Sequence, residues 1–320
     1  MAAVPPKLPP LDGSLGVIQI GLVLGTFLFG IETLQTFNYY REFPKDPKIL
    51  KGLVGGIWFF ELAHTISSWH AMYTITVTFY GQPQHILAPP ISLVYPIFFH
   101  GLIAFCAQSF FVYRVRVLSG QWLIPIGCFA LNLARLGCLM LLFGELYQTP
   151  IFTLLATKFR KEVIVVSSMG PGVEIVVAAS LVYYLWSRRG GKGGSTGFQQ
   201  TNRVVDSIVI WTVETTLITT VSGVVQLILF LTRRNDSSWI LFFLIQAKLF
   251  SNSLLASLNG RTRFRTPGAS VVAYDSAGHS NSTGRSAPGA FVAANPSDVV
   301  IRMHQMSDTV YSDDMLRSKV

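Results

Sequence analysis

Glu32, Glu61, His64, His70, His100, Arg135, Glu174, Glu214 and Lys248 interrupt long apolar stretches of this chain. In hydrocarbon each is expensive, with insertion scales placing a central Lys or Asp at roughly 2.5 to 3.5 kcal/mol. Buried groups of these types relay protons or ions, bind a ligand, or tie one helix to the next. Lys248 and Glu214 lie on sequential stretches at depths that a flexible lysine stem bridges, so depth predicts a Lys248 to Glu214 contact. Glu61 and His64 are three residues apart and share a helix face. Arg135 and Glu174, also on sequential stretches, form a second candidate pair. Glu61, His64, Arg135, Glu174, Glu214 and Lys248 thus compose the candidate intramembrane polar site. Interhelical ties explain it more simply than a relay, because nothing in the sequence traces a pathway.

Catalytic and metal-binding patterns are absent from the sequence. It contains no H-E-x-x-H, no G-x-S-x-G, no G-x-x-x-x-G-K-[ST] and no Cys/His spacing for a metal. Glu61, His64 and His70 are too widely spaced on one helix to be a compact ligand set. The expectation is a protein that is not an enzyme and uses no cofactor.

The elements that carry these residues are apolar runs over 15–39, 53–79, 91–113, 122–143, 163–186, 204–231 and 239–258. A helix that crosses ~30 Å of hydrocarbon needs ~20 mainly apolar residues. Helices of a soluble α protein average ~11 residues and keep a polar stripe, whereas these runs are apolar all round. The fold class is therefore an all-α integral membrane seven-helix bundle, spanning 15–260, with an extracellular segment 1–14 and a disordered cytosolic tail 261–320 rich in Ser, Thr, Gly, Ala, Pro and Asn. Composition agrees: 50% hydrophobic, 13% charged, mean hydropathy +0.46.

Charge asymmetry orients the bundle. Arg41, Lys45, Lys48, Lys51, Arg114, Arg116, Arg188, Arg189, Lys192, Arg203, Arg261, Arg263 and Arg265 fall on one side, and outnumber Lys7, Lys158, Arg160, Lys161, Arg233 and Arg234 on the other. The positive-inside rule then puts the N-terminus outside and the C-terminus in the cytosol. The first helix serves as an uncleaved signal anchor, since no basic n-region precedes it. The net charge of +9 sits mainly beside lipid headgroups and implies a bilayer partner, with no nucleic acid. Cys106, Cys128 and Cys138 all lie in predicted helices as small apolar residues. Gly190 to Asn202 reads as a flexible loop, and Asp298 to Val320 as a short segment able to become helical on a cytosolic partner.

Glycine and proline shape the helices. Pro171, within Met169-Gly170-Pro171-Gly172, is expected to break or kink helix five and open a cavity beside Glu174. Gly52, Gly55 and Gly56 predict close packing at the start of helix two.

The runs Phe37-Asn38-Tyr39-Tyr40-Arg41 with Phe43-Pro44-Lys45-Asp46, Phe111-Val112-Tyr113-Arg114 with Leu118-Ser119, Trp211 to Thr215, and Ser251-Asn252-Ser253-Leu254-Leu255-Ala256-Ser257-Leu258-Asn259 with Arg261 resemble a large family of fungal multi-pass membrane proteins. The similarity spans about 15 to 265. In that family the C-terminal part is a domain of unknown function, so the resemblance implies seven helices in a membrane and supplies no activity. Independently of it, Ser251, Asn252, Ser253, Ser257 and Asn259 give helix seven a small, hydrogen-bonding face, and Asn259-Gly260 reads as a C-cap.

Seven helices, an outside N-terminus and a Ser/Thr-bearing tail suit a receptor or sensor. Val112-Tyr113-Arg114 is only loosely similar to the acidic-Arg-Tyr motif of G-protein-coupled receptors, and their outer cysteine pair and helix-seven Asn-Pro are missing. A small-molecule or ion transporter built on the buried charges is the alternative; the odd helix number and lack of an internal repeat oppose it. A third reading, a retinal-binding protein, starts from Lys248 near the middle of helix seven, the place of the retinal lysine in microbial rhodopsins. Helix three, however, has no acidic counter-ion.

Overall fold

The computed structural model describes residues 12–82, 90–149, 158–190, 199–233 and 237–261, without the side chains of 12, 14, 185–190 and 199–212. Seven long helices dominate: α1 Val17–Glu42, α2 Lys48–Tyr73, α3 Tyr95–Ser119, α4 Leu123–Gln148, α5 Arg160–Gly190, α6 Gln199–Thr232 and α7 Ser238–Asn259. A π-helical turn, Thr74–Thr78, prolongs α2, and a 3-10 turn, Ile91–Leu93, leads into α3. Each helix contains a segment long and apolar enough to cross a bilayer, and the chain is a seven-span membrane protein. Large apolar side chains such as Phe27, Leu34, Ile66, Leu141, Val221 and Ile228 point outward, as a lipid-facing surface requires.

Neighbours in sequence are neighbours in space, and α7 returns to α1 through the broadest interface, closing the ring. α3 also touches α5 and α7. In consequence α3 and α7 are the most enclosed spans, 56% and 61% buried against 22% for α1 and α2. The main apolar core lies around them, with Ile103, Ala107, Phe111, Phe250, Leu254 and Leu255 at its centre.

The α1 to α7 seam depends on small residues. A Cβ on Gly21 would stand 3.1 Å from the Leu241 Cα, and one on Gly25 would meet the Leu244 carbonyl oxygen at 3.9 Å. Gly21 and Gly25 are four apart, a G-x-x-x-G spacing that lets two backbones approach. Farther along, the Asn252 amide donates to the Leu28 carbonyl (3.1 Å), Gln35 donates to the Asn252 side-chain oxygen (3.1 Å) and Asn259 donates to the Gln35 carbonyl (2.8 Å). The polar run in α7 is thus the hydrogen-bonding half of this seam. At the opposite end the Ser237 amide donates to the Gly13 carbonyl at 2.9 Å.

Several expectations are corrected. α2 starts at Lys48, five residues before the apolar run, because Pro47 at its N-cap has extended backbone suited to starting a helix there. α5 runs through Pro171 as one helix, so the break expected as one outcome there does not occur. A Cβ on Gly52 or Gly56 would meet nothing within 4 Å, and only Gly55 makes a close approach, to the Tyr40 hydroxyl. Gly260 follows α7 with φ −54°, so the chain continues in a right-handed turn and the left-handed cap falls instead at Gly120, φ +72°, after α3. The expectations for 1–11, for most of the Gly190 to Asn202 loop and for the tail beyond Arg261 lie outside the described residues.

Candidate functional site

Lys248, halfway along α7, is 2% exposed. Its ammonium group contacts the Glu61 carboxylate and donates to the Glu61 backbone carbonyl at 3.1 Å and the Thr65 hydroxyl at 2.8 Å. An ammonium has three protons, and all three find oxygen. Glu61 and Thr65 are one helical turn apart on α2, which is why both reach the same nitrogen. The Lys248 ammonium also lies 5.2 Å from the centre of the Phe29 ring. One turn along α7, the Ser251 hydroxyl is 3.0 Å from the second Glu61 carboxylate oxygen and 2.9 Å from Glu32 of α1. Glu32 and Glu61 are both 0% exposed. This cluster joins α1, α2 and α7.

The expected Lys248 to Glu214 contact does not form. Glu214 is exposed on α6. The face that α6 turns inward carries Thr216, Thr219, Thr220, Gly223, Gln226 and Phe230. Glu214 precedes Thr216 by two residues and so points about 200° around the helix from it. His64 is buried on the same side of α2 as Glu61, bordering a small crevice with Gly21, Gly25 and Lys248. Neither of its ring nitrogens has a hydrogen-bond partner among the described residues. His70 is exposed, and no set of three or more His, Cys, Asp or Glu among the described residues is placed to hold a metal.

Glu174 and Arg135 are both 4% exposed, but they do not form a direct ion pair. Glu174 accepts from Thr219 and Thr220, each at 2.8 Å, and from Gln108 at 3.4 Å. The Arg135 guanidinium lies 5.8 Å from the Phe250 ring centre on one side. On the other is Gly170, where a Cβ would stand 3.0 to 3.2 Å from the guanidinium atoms. Nε and Nη1 of Arg135 find no acceptor among the described residues.

A pocket with an empty volume of about 740 Å³, its mouth included, lies among α3, α4, α5, α6 and α7. Its walls are apolar, with Ile97, Leu139, Val163, Val166, Trp239 and Phe243 prominent, while His100, Arg135, Gln226 and Gln246 supply polar atoms. It occupies the half of the bundle where α3, α5 and α7 begin. Glu174 does not border it: the α5 residues on the wall are Val163, Val166 and Ser167, before Pro171. His100 stacks on Phe243 with ring centres 4.5 Å apart. Sequence inspection noted His100 and Gly170 without assigning them to this site. Phe243 and Gln246 carry no signal in isolation, since an aromatic or amide in an apolar helix has many uses.

At the other end, Asp46 of the α1 to α2 turn accepts from Arg261 at 2.6 Å and from the Tyr39 hydroxyl at 3.0 Å. The Arg261 guanidinium also covers the Phe43 ring at 4.3 Å. Burial pushes the Asp46 carboxyl up, but the hydrogen bonds from Arg261 and Tyr39, with the charges of Arg261 and Lys51, outweigh it and leave the group below the usual carboxylate range. A depressed folded-state value means the contribution is present above about pH 4, the ordinary carboxylate value, and disappears as pH falls through the lower folded value. Asp46→Asn should therefore lower thermal stability at pH 7, by on the order of 1 kcal/mol for a partly exposed pair. Wild type and variant should converge in detergent melts as pH falls below that folded value.

Residues 172–263 match the model of a family of unknown function, DUF6534. No curated protein and no solved structure matches the chain. The matched stretch holds Glu174, Thr219, Thr220, Lys248 and Ser251, while their partners Glu61, Glu32 and Gln108 lie before it.

Proposed function

We propose that this protein is a seven-helix ligand sensor and not an enzyme, with its N-terminus outside and its C-terminus in the cytosol. The supporting observation is the apolar pocket at the end of the bundle opposite the Arg-rich turns, bordered by the two most enclosed helices, α3 and α7. Its mainly apolar lining with a few convergent polar groups is the lining expected of a small-molecule site. A ligand seated between α3 and α7 can shift their packing, and both helices end at the cytosolic face, α3 at Arg116 and Ser119 and α7 at Asn259. The tail beyond Arg261 would carry the signal to a cytosolic partner.

Thermal unfolding of wild type and Val166→Trp against a panel of small apolar compounds tests this reading. A binder at 100-fold its Kd adds about 2.7 kcal/mol, so at least one compound should raise the wild-type Tm and leave the pocket-filled variant unmoved. If no compound separates the two proteins, the sensor reading fails.

The proposed orientation has its own expected outcome. Asn281-Ser282-Thr283 is a glycosylation acceptor sequence, and protein from a eukaryotic host should show no glycosidase-sensitive mass there. Sugar on Asn281 would place the tail on the wrong side.

Transport is the second reading, and Ser251 favours it. That hydroxyl has one proton to give, so its contacts to Glu32 and Glu61 are both hydrogen bonds only when one carboxyl group carries a proton. Proteoliposomes loaded with a pH dye distinguish the readings: a sensor leaves an imposed pH gradient intact, whereas a Glu61-dependent collapse supports transport. Retinal binding finds less support, since Lys248 lies off the large pocket and its three donors are engaged.

A further inference from the structure

Arg135 is an unusual residue to border an apolar pocket. Its guanidinium is held in place from two sides, by the Phe250 ring and by the bare backbone of Gly170. Glu174 supplies nearby negative charge, yet its oxygens are taken by Thr219, Thr220 and Gln108. Two of the guanidinium nitrogens therefore remain without an acceptor among the described residues, in a side chain only 4% exposed. A guanidinium has five N–H donors in a planar fork that matches the two oxygens of a carboxylate. Beside it the His100 ring, with Nδ1 also unpartnered, is fixed by its stack on Phe243. The rest of the lining from α3, α4 and α5 is mainly aliphatic, with Ile97, Leu139, Leu142, Val163 and Val166, and Ser167 adds one hydroxyl.

We infer that the pocket takes an apolar monocarboxylate, with the carboxylate on Arg135 and the hydrocarbon body directed away from it along the aliphatic wall. The assignment rests on the sensor reading above, because it names the ligand class of the same pocket. It also explains Gly170. A methyl group there would stand 3.0 to 3.2 Å from the guanidinium atoms and shift them by a few tenths of an ångström, so Gly170 positions Arg135 without touching the ligand.

Octanoate and its uncharged counterpart octanamide are suitable probes, measured by calorimetry on the full chain in phosphatidylcholine nanodiscs. Val166→Trp, which fills the pocket, corrects for partition into lipid. Octanoate should bind wild type at least tenfold more tightly than octanamide, and Arg135→Gln should remove that preference. Because Arg135→Gln leaves Glu174 without its neighbouring cation and could unfold the protein, two further variants accompany it. Arg135→Gln with Glu174→Gln restores charge balance and should also lose the preference, and Gly170→Ala should weaken octanoate several-fold while octanamide is unchanged. Equal binding of both probes, abolished by Val166→Trp, overturns the carboxylate assignment and leaves the sensor reading standing. Binding of neither probe overturns the assignment, and the compound panel then decides the sensor reading on its own. Displacement of octanoate when phosphatidylglycerol is added to the nanodiscs overturns a free carboxylate in favour of an anionic lipid.

Discussion

Lys248→Met should destabilise the folded protein by about 3 to 5 kcal/mol, the cost of stranding the other half of a buried ion pair. Glu61 would be left fully enclosed with only Ser251 beside it, and Glu32 close by on the far side of that hydroxyl. Glu61→Gln should cost a similar amount, because the ammonium would keep Thr65 and the Glu61 backbone carbonyl but lose its counter-charge. The double variant should lose less than the sum, since no bare charge remains. Polar contacts between membrane helices have coupling energies averaging about 0.6 kcal/mol with a maximum near 1.7. A fully enclosed ion pair belongs at or above the top of that range. A double-mutant cycle on reversible unfolding in mixed micelles measures the coupling; effects that simply add would remove Lys248 and Glu61 as a pair. Glu214→Gln serves as the control and should stay within about 0.5 kcal/mol of wild type, as expected for an exposed position.

Gly21→Leu and Gly30→Leu, on the same helix, should differ in sign. At Gly30 a Cβ meets nothing within 4 Å, so the substitution removes the backbone freedom of glycine and should stabilise α1 by up to about 0.8 to 1 kcal/mol. At Gly21 the new Cβ would stand 3.1 Å from the Leu241 Cα and 3.4 Å from Leu244. The first obstacle is backbone and cannot rotate aside, and the three further side-chain carbons have nowhere to go. Forcing a well-packed interface apart costs typically 1 to 3 kcal/mol, which exceeds the propensity gain. Tm values of the two variants in one detergent decide it, and a Gly21→Leu protein as stable as wild type would show that α1 and α7 are not locked there. Because α7 carries Lys248 and one wall of the pocket, Gly21→Leu should also weaken octanoate binding, whereas Gly30→Leu should not.

The helices were legible because their signal is local. An apolar run of membrane length announces itself whatever it packs against, and seven such runs appear in the structure close to where hydropathy places them. Boundaries were less legible: α2 begins among the lysines at 48 to 51, since polar residues just outside hydrocarbon continue a helix at no penalty. The buried charges were also recognisable from type and context, and Glu61, His64, Arg135, Glu174 and Lys248 are all enclosed.

Which of them meet was not legible from depth. Depth alone pairs Lys248 with Glu214, yet a contact also requires the right direction around each helix. Glu214 points away from the α6 face that carries Thr219 and Thr220, while Lys248 points across the ring to α2. Ring closure is a property of the whole bundle: α7 packs close on α1 at Gly21, where a Cβ would stand 3.1 Å from the Leu241 Cα, and no reading of neighbouring segments contains that fact. The same holds for the pocket, whose wall draws on five helices separated by up to about half the chain. By itself, then, the sequence determined seven membrane helices, the charge bias of their turns and the list of residues too costly to face lipid. The tertiary structure alone decided that Lys248 is tied to Glu61, that Glu174 is held by threonines and a glutamine, and that Arg135 is left facing a cavity, because partner choice depends on helix azimuth and ring closure, and hydrophobic periodicity encodes neither.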